Sequence, residues 1–193
     1  PRIATAGGTT NLFFTVNYLD RFQFGNNGTN VFFYNGGLVF STTPSPLNQW
    51  NHYALVREGS GTNNLSCYRN GTRLTQATNS TSYAADSMMI GGQDRGSTTG
   101  YHGFYGWISN FRIVKGTALY SGSSYTVPTE PLTAISGTTL LTCQSNRIVD
   151  NSTNDAGITT NISSATKVQP FSPFTPSRSY SKDAVGGSVY NDG

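Results

Sequence analysis

The chain has 193 residues, enough for one sizeable sandwich with a buried core, and only 11% of them are charged, about half the usual share. Its formal net charge of +3 comes from scattered Arg and Lys with no run of three. That pattern lacks the basic stripe a nucleic-acid binder needs to neutralise phosphates, and no apolar stretch approaches the roughly 18 residues of a membrane helix, so no membrane insertion is expected.

Solubility must rest on Ser, Thr, Asn and Gly, a surface composition typical of secreted and virion proteins. Candidate strands follow one another closely. Asn11–Tyr18 carries Leu12, Phe13, Phe14 and Val16, and Arg21–Gly25 follows. Val31–Tyr34 and Leu38–Ser41 flank Asn35-Gly36-Gly37, a triplet that tolerates positive φ and predicts a hairpin. In Trp50–Glu58, Tyr53 and Leu55 alternate with His52, Ala54 and Val56, the period of a two-faced pleated strand. Leu65–Arg69 and Thr72–Gln76 flank Asn70-Gly71, a second hairpin signal.

Ser87–Ile90 leads into a Gly-rich stretch, Gly91–Gly103, and then into a long strand ending at Val114. In that strand Trp107, Phe111 and Ile113 share one parity, opposite Asn110 and Arg112. Thr117–Ser121 reads as one helical turn, whereas Pro128 and Pro131 exclude a helix interior and a central strand. Thr138–Gln144, with Leu140, Leu141 and Cys143, is a further strand, and Ile148–Asp150 and Ile158–Ile162 are the last. No window has a 3.6-residue apolar period. The fold class is therefore all-β, a sandwich or jelly roll of two antiparallel sheets. The predicted core contains Trp50, Leu55, Trp107, Phe111, Ile113 and Leu141. Cys67 and Cys143 read as two small buried hydrophobes or as one bridge between strands, and their spacing resembles no zinc site.

Residues 170–185, with Pro170, Pro173, Pro176 and several serines, have the composition of an extended linker. Gly186–Gly193 begins like a strand.

Trp50-Asn-His-Tyr-Ala-Leu-Val-Arg57, Leu65-Ser-Cys-Tyr-Arg-Asn-Gly-Thr72, Ile90-Gly-Gly92 and Gly106-Trp-Ile-Ser-Asn-Phe-Arg-Ile-Val-Lys-Gly-Thr-Ala-Leu-Tyr120 resemble laminin G-like, concanavalin A-like lectin domains. Val127–Arg147, Val149–Asn154 and Pro170–Phe174 are similar to tandem domains in structural proteins of tailed bacteriophages, notably marine and cyanobacterial ones. The resemblance spans about residues 30–174 and implies a concanavalin A-like jelly roll. It places a laminin G-like sandwich without its opening strands at 1–169, a linker at 170–185, and the first strand of a following repeat at 186–193. The implied protein is a non-enzymatic virion module in a tail fibre, capsid appendage or decoration, on the particle exterior. Its implied partners are other virion subunits or neighbouring repeats and cell-surface glycans, in a homo-oligomeric assembly. A bacterial surface adhesin on the same fold remains an alternative, as does a filament subunit joined by strand addition through 186–193.

The chemistry available is that of binding. Glycosidases use two carboxylates flanking the bond, usually on one strand, and none of the nine acidic residues here has another two positions away. His52 and His102 lack a nucleophile-elbow context nearby. The stretch Gly91–His102 offers Asp94, Arg95, Tyr101 and His102, a carboxylate, a guanidinium, a phenol and an imidazole suited to hydrogen-bonding and stacking on a glycan. The competing reading is a solvated connection in which Arg95 pairs with Asp94. No cofactor is expected. Calcium is the one ion the resemblance leaves open, with Asp94 or Asp86 as an oxygen ligand.

Overall fold

The computed structural model describes residues 1–4, 11–16, 22–82, 87–92, 103–145, 147–159 and 172–174. Two compact units divide the chain: Pro1–Ile108 with Lys115–Val127, and Ser109–Val114 with Pro128–Gly193. Among the described residues there is no helix, and so none long and apolar enough to cross a membrane.

The first unit contains β1 (Arg2–Ile3), β2 (Asn11–Val16), β3 (Phe22–Asn26), β4 (Val31–Tyr34), β5 (Leu38–Thr42), β6 (Tyr53–Arg57), β7 (Leu65–Arg69), β8 (Thr72–Ala77), β9 (Met88–Ile90) and β10 (Gly106–Trp107). Five of them form an antiparallel sheet in the order β5-β4-β3-β2-β9, and three form a second in the order β6-β7-β8. β1 pairs with β10 as a separate ribbon. The architecture is an all-β sandwich.

Register explains why the large sheet holds. Ile90 lies opposite Phe14, Phe14 opposite Phe24, Phe24 opposite Phe33, and Phe33 opposite Phe40. One row of apolar side chains thus crosses all five strands, and directly opposed aromatic pairs are a main source of sheet stability. Ring centroids are 6.1 Å apart for Phe14–Phe24 and 5.9 Å for Phe33–Phe40, and Phe22 reaches Phe33 diagonally at 4.7 Å. The facing layer is Leu65 and Cys67 of β7, with Ile3 of β1 in the same buried cluster.

A bulge adjusts this arrangement. The β2–β3 register shifts between Leu12 and Phe14, so consecutive residues Leu12 and Phe13 are both buried. Phe13 packs its ring against Phe24, Tyr53 and Phe104 at 5.3, 5.0 and 5.8 Å. Gly25 sits opposite Leu12, where an added Cβ would collide with the Asn11 carbonyl. Only glycine permits that approach.

The second unit contains β11 (Phe111–Val114) and β12 (Thr138–Thr142), paired with Phe111 opposite Thr142 and Ile113 opposite Leu140. The long strand expected up to Val114 is therefore two strands. Asn110 breaks it by adopting φ 54°, with its amide donating to the Cys143 carbonyl at 2.8 Å and its Oδ1 accepting from Leu132 N at 2.9 Å. Cys143 itself has φ 59° and ends β12. Thr117–Ser121 forms no helical turn, and Ile148–Asp150 forms no strand. Ile158 and Thr159 are likewise outside strands, while 160–162 lie beyond the described residues.

Of the predicted core, Leu141 is fully buried, at 1% exposure. Trp50, Leu55, Trp107, Phe111 and Ile113 are half-buried. Leu55 packs against the main cluster from its margin. The phenyl row fills the middle, and Trp107 instead receives the Arg2 guanidinium 4.8 Å from its ring centroid, a cation–π contact across the β1–β10 ribbon. Both cysteines are free. Cys67 is fully buried, and burial pushes its thiol up to about 12, so it behaves as a small hydrophobe.

Phe33→Ala should destabilise the protein by about 3–5 kcal/mol, the usual cost of removing a buried phenyl. Phe111→Ala, at a half-buried site, should cost clearly less. Urea unfolding of both variants measures the order, and a reversed order would remove Phe33 from the centre of the core.

Candidate functional site

Asp94, Arg95, Tyr101 and His102 lie outside the described residues, as does Asp86. The residues on either side of them are tied to the sandwich by hydrogen bonds. β9 ends at Ile90 and is followed by Gly91, whose φ is 77°. Its amide donates to the Phe13 carbonyl at 3.0 Å, and its carbonyl accepts from Phe104 N at 3.0 Å. The buried Thr15 hydroxyl donates to the Gly92 carbonyl at 3.1 Å. On the returning side, Tyr105 N donates to Asn11 Oδ1 at 2.8 Å, and the Tyr105 carbonyl accepts from Ala4 N at 2.9 Å. Asn11 is completely buried, so this amide oxygen is a fixed acceptor. Gly91 and Phe104, on either side of residues 93–102, are thus held together by their hydrogen bond and by the ring of Phe104 against Phe13.

A second constellation went unread in the sequence. His52, Tyr68, Tyr120 and Tyr125 gather on the outer side of the three-stranded sheet. Tyr120 and Tyr125 stack with centroids 3.7 Å apart and planes at 12°. Tyr125 meets Tyr68 edge-on at 5.3 Å, and its hydroxyl lies 2.6 Å from His52 Nδ1. Burial pushes the Tyr125 phenol well up, with Tyr120 and Tyr68 adding to the effect, so it stays neutral.

The segment bearing these tyrosines is laced to the sheet. Tyr125 N donates to the Gly71 carbonyl at 2.8 Å and Arg73 N to the Ser123 carbonyl at 2.9 Å. The Gly122 carbonyl accepts from both Arg73 Nη1 and the Tyr68 hydroxyl, at 2.7 and 2.9 Å. Gly71, at φ 80°, has no room for a Cβ against the Tyr125 carbonyl. This lacing buries Tyr68 and Ser66 on the side of β7 that faces away from Leu65 and Cys67. The expectation of a helical turn at 117–121 obscured the cluster, because only tertiary contacts bring Tyr120 to His52.

The carboxylate best defined in the structure is committed to folding. Asp150 Oδ1 accepts from Leu141 N and Ser152 N, both at 2.9 Å. Its Oδ2 accepts from Ser152 Oγ and Ala156 N, both at 2.8 Å. Partial burial opposes ionisation, but the four hydrogen bonds outweigh it and hold the carboxyl below its ordinary value. Among the described residues no three His, Cys, Asp or Glu side chains gather as a metal site, so no role for calcium is derived from them.

Two antiparallel sheets thus face each other across a phenyl core. A family model described as the concanavalin A-like lectin/glucanases superfamily, of laminin G type, matches residues 1–119. The chain belongs to that superfamily. Neither the curated proteins nor the solved structures compared with it give a match. The superfamily's model covers the sandwich from β1 through the start of the laced segment, and so includes residues 93–102 and His52. Lectin-type folds of this kind are compatible with carbohydrate binding or adhesion.

Two outcomes follow for the described residues. Because the Asp150 carboxyl sits below its unfolded value, its contribution is complete above that value and is lost as pH falls through the folded one. Hydrogen-exchange protection of the Leu141, Ser152 and Ala156 amides should therefore drop on acidification from about pH 5 to pH 2, and Asp150→Asn should abolish most of that dependence. Separately, Tyr125→Phe should cost about 0.5–1.5 kcal/mol, the usual net worth of one hydrogen bond, measured by thermal melting at neutral pH.

Proposed function

We propose that the chain is a non-enzymatic structural module of a tailed-phage virion, displayed on the particle exterior in a tail fibre, capsid appendage or decoration, where it adheres to host-surface glycans. The observation that carries the adhesive part is the rooted rim of the sandwich. Residues 93–102 contain Asp94, Arg95, Tyr101 and His102, and the residues flanking them, Gly91, Gly92, Phe104 and Tyr105, are fixed to the sandwich. A rigid scaffold presenting a polar and aromatic connection is the usual design of a recognition surface. The virion assignment is supported by the similarity of Val127–Asn154 and Gly186–Gly193 to tandem phage modules. Repetition would make a weak site effective, since linked copies raise the local concentration of binding groups. A non-enzymatic role fits the commitment of Asp150 to backbone amides and the absence of acidic pairs two residues apart in the sequence.

The test combines localisation with binding. Gold-labelled antibodies against residues 1–119 should decorate the outside of purified particles, and their absence from particles would end the virion assignment. On a glycan array, Tyr101→Ala should weaken binding about tenfold, near 1.4 kcal/mol, with an unchanged melting temperature. Binding that is indifferent to Tyr101, Asp94 and Arg95 together would remove the segment as the receptor site.

A further inference from the structure

The sequence contains three described Asn-Gly steps, Asn27-Gly28, Asn35-Gly36 and Asn70-Gly71. This dipeptide is prone to spontaneous rearrangement. The glycine amide nitrogen attacks the asparagine Cγ, the side-chain amide leaves as ammonia, and a succinimide forms. Water then opens the ring at either carbonyl, giving aspartate or isoaspartate. No oxidant or enzyme is needed. The step requires the carboxamide to swing over the following amide, so hydrogen bonds on either group retard it.

The structure treats the three steps unequally. Asn70 uses both ends of its carboxamide: Oδ1 accepts from His52 N at 2.8 Å and Nδ2 donates to Asn51 Oδ1 at 3.0 Å. Asn51 is itself buried and bonded to the carbonyls of Pro46 and Gln49. Gly71 is buried beneath the Tyr125 carbonyl. At Asn27, Oδ1 accepts from Thr29 N at 3.2 Å and Asn30 N at 2.8 Å, and the attacking group is tied as well, since Gly28 N donates to Asn26 Oδ1 at 2.7 Å.

Asn35 is different. Its carboxamide makes one bond, Nδ2 to Thr81 Oγ1 at 2.7 Å, on the exposed surface. Among the described residues no acceptor holds the Gly36 amide. Gly36 and Gly37 are exposed, and neither has an atom within 4 Å of where a Cβ would stand. The hairpin tip between β4 and β5 therefore leaves the Gly36 amide open and the Asn35 carboxamide held by the exposed Thr81 contact alone among the described residues.

We propose that Asn35 is a site of spontaneous deamidation and isomerisation in the folded protein, while Asn27 and Asn70 are protected. Conversion removes the donor to Thr81 and places a carboxylate on the exposed hairpin tip. The formal charge falls by one at the exposed turn between β4 and β5. Thr81 is also the residue whose carbonyl accepts from Arg57 Nη1 at 2.5 Å, so the new anion arises close to a fixed cation. The modification thus alters the surface at one hairpin without touching the phenyl row.

The test is peptide mapping by mass spectrometry on the full chain aged at mildly alkaline pH, folded and in concentrated urea. In the folded protein, aspartate and isoaspartate should accumulate at position 35 at least tenfold faster than at 27 or 70. In urea the three rates should converge, because each asparagine then precedes an unrestrained glycine. Asn35→Gln should remove the early product while the melting temperature stays the same. Equal rates in the folded chain, or faster conversion at 27 or 70, would overturn the proposal. A rate order that persists unchanged in urea would overturn it too, since local sequence rather than structure would then decide.

Discussion

The row Ile90–Phe14–Phe24–Phe33–Phe40 is the constraint on which the sandwich depends. Every strand of the large sheet contributes one member, and each member stands opposite the next. A slip of one residue at any pairing would turn a phenyl from the core to the other face. The register, the bulge at Phe13 and the glycine at 25 all serve this row. Leu65 and Cys67 close it from the facing sheet, and with Ser66 and Tyr68 covered on the other side β7 is buried along most of its length.

With so few ions, the polar interior is run by amides. Asn64 and Asn79 form one such knot: Asn64 Nδ2 donates to the Gly59 and Asn79 carbonyls, both at 2.9 Å, and its Oδ1 accepts from Asn79 N at 2.8 Å. Asn11 and Asn51 play comparable parts at the rim and at the β6 approach. Asparagine also stands at positive φ at positions 48, 63, 70 and 110, where its short side chain lowers the cost that other residues would meet. A neutral amide can donate and accept at once, so it satisfies buried backbone groups without the desolvation cost of a charge.

Much of the fold was legible in the sequence where the signal is local. Val31–Tyr34 and Leu65–Arg69 coincide with the observed strands to the residue, because Asn35-Gly36-Gly37 and Asn70-Gly71 announce their turns. The failures are non-local. Nothing in the parity of Trp107, Phe111 and Ile113 reveals that Asn110 turns left-handed to bond with Cys143. The indoles drew attention by size, yet position in the register decides burial, and that favoured Phe24, Phe33 and Phe40. The His52–Tyr125 bond joins residues 73 apart and follows from packing alone. The residues of the predicted glycan segment were named from composition, and only the base of that segment is described.

That base has a consequence for the length of the connection. Closing a longer connection over a fixed pair of ends adds only about 0.6 kcal/mol for each doubling of its length. The Gly91–Phe104 closure and the buried amide of Asn11 take their strength from the sandwich, not from whatever lies between them. By that scaling, a change of length between residues 93 and 102 adds little closure entropy to the folding balance. A connection closed at so small a cost can vary in length, while Gly91, Phe104 and Asn11 stay held by their own contacts.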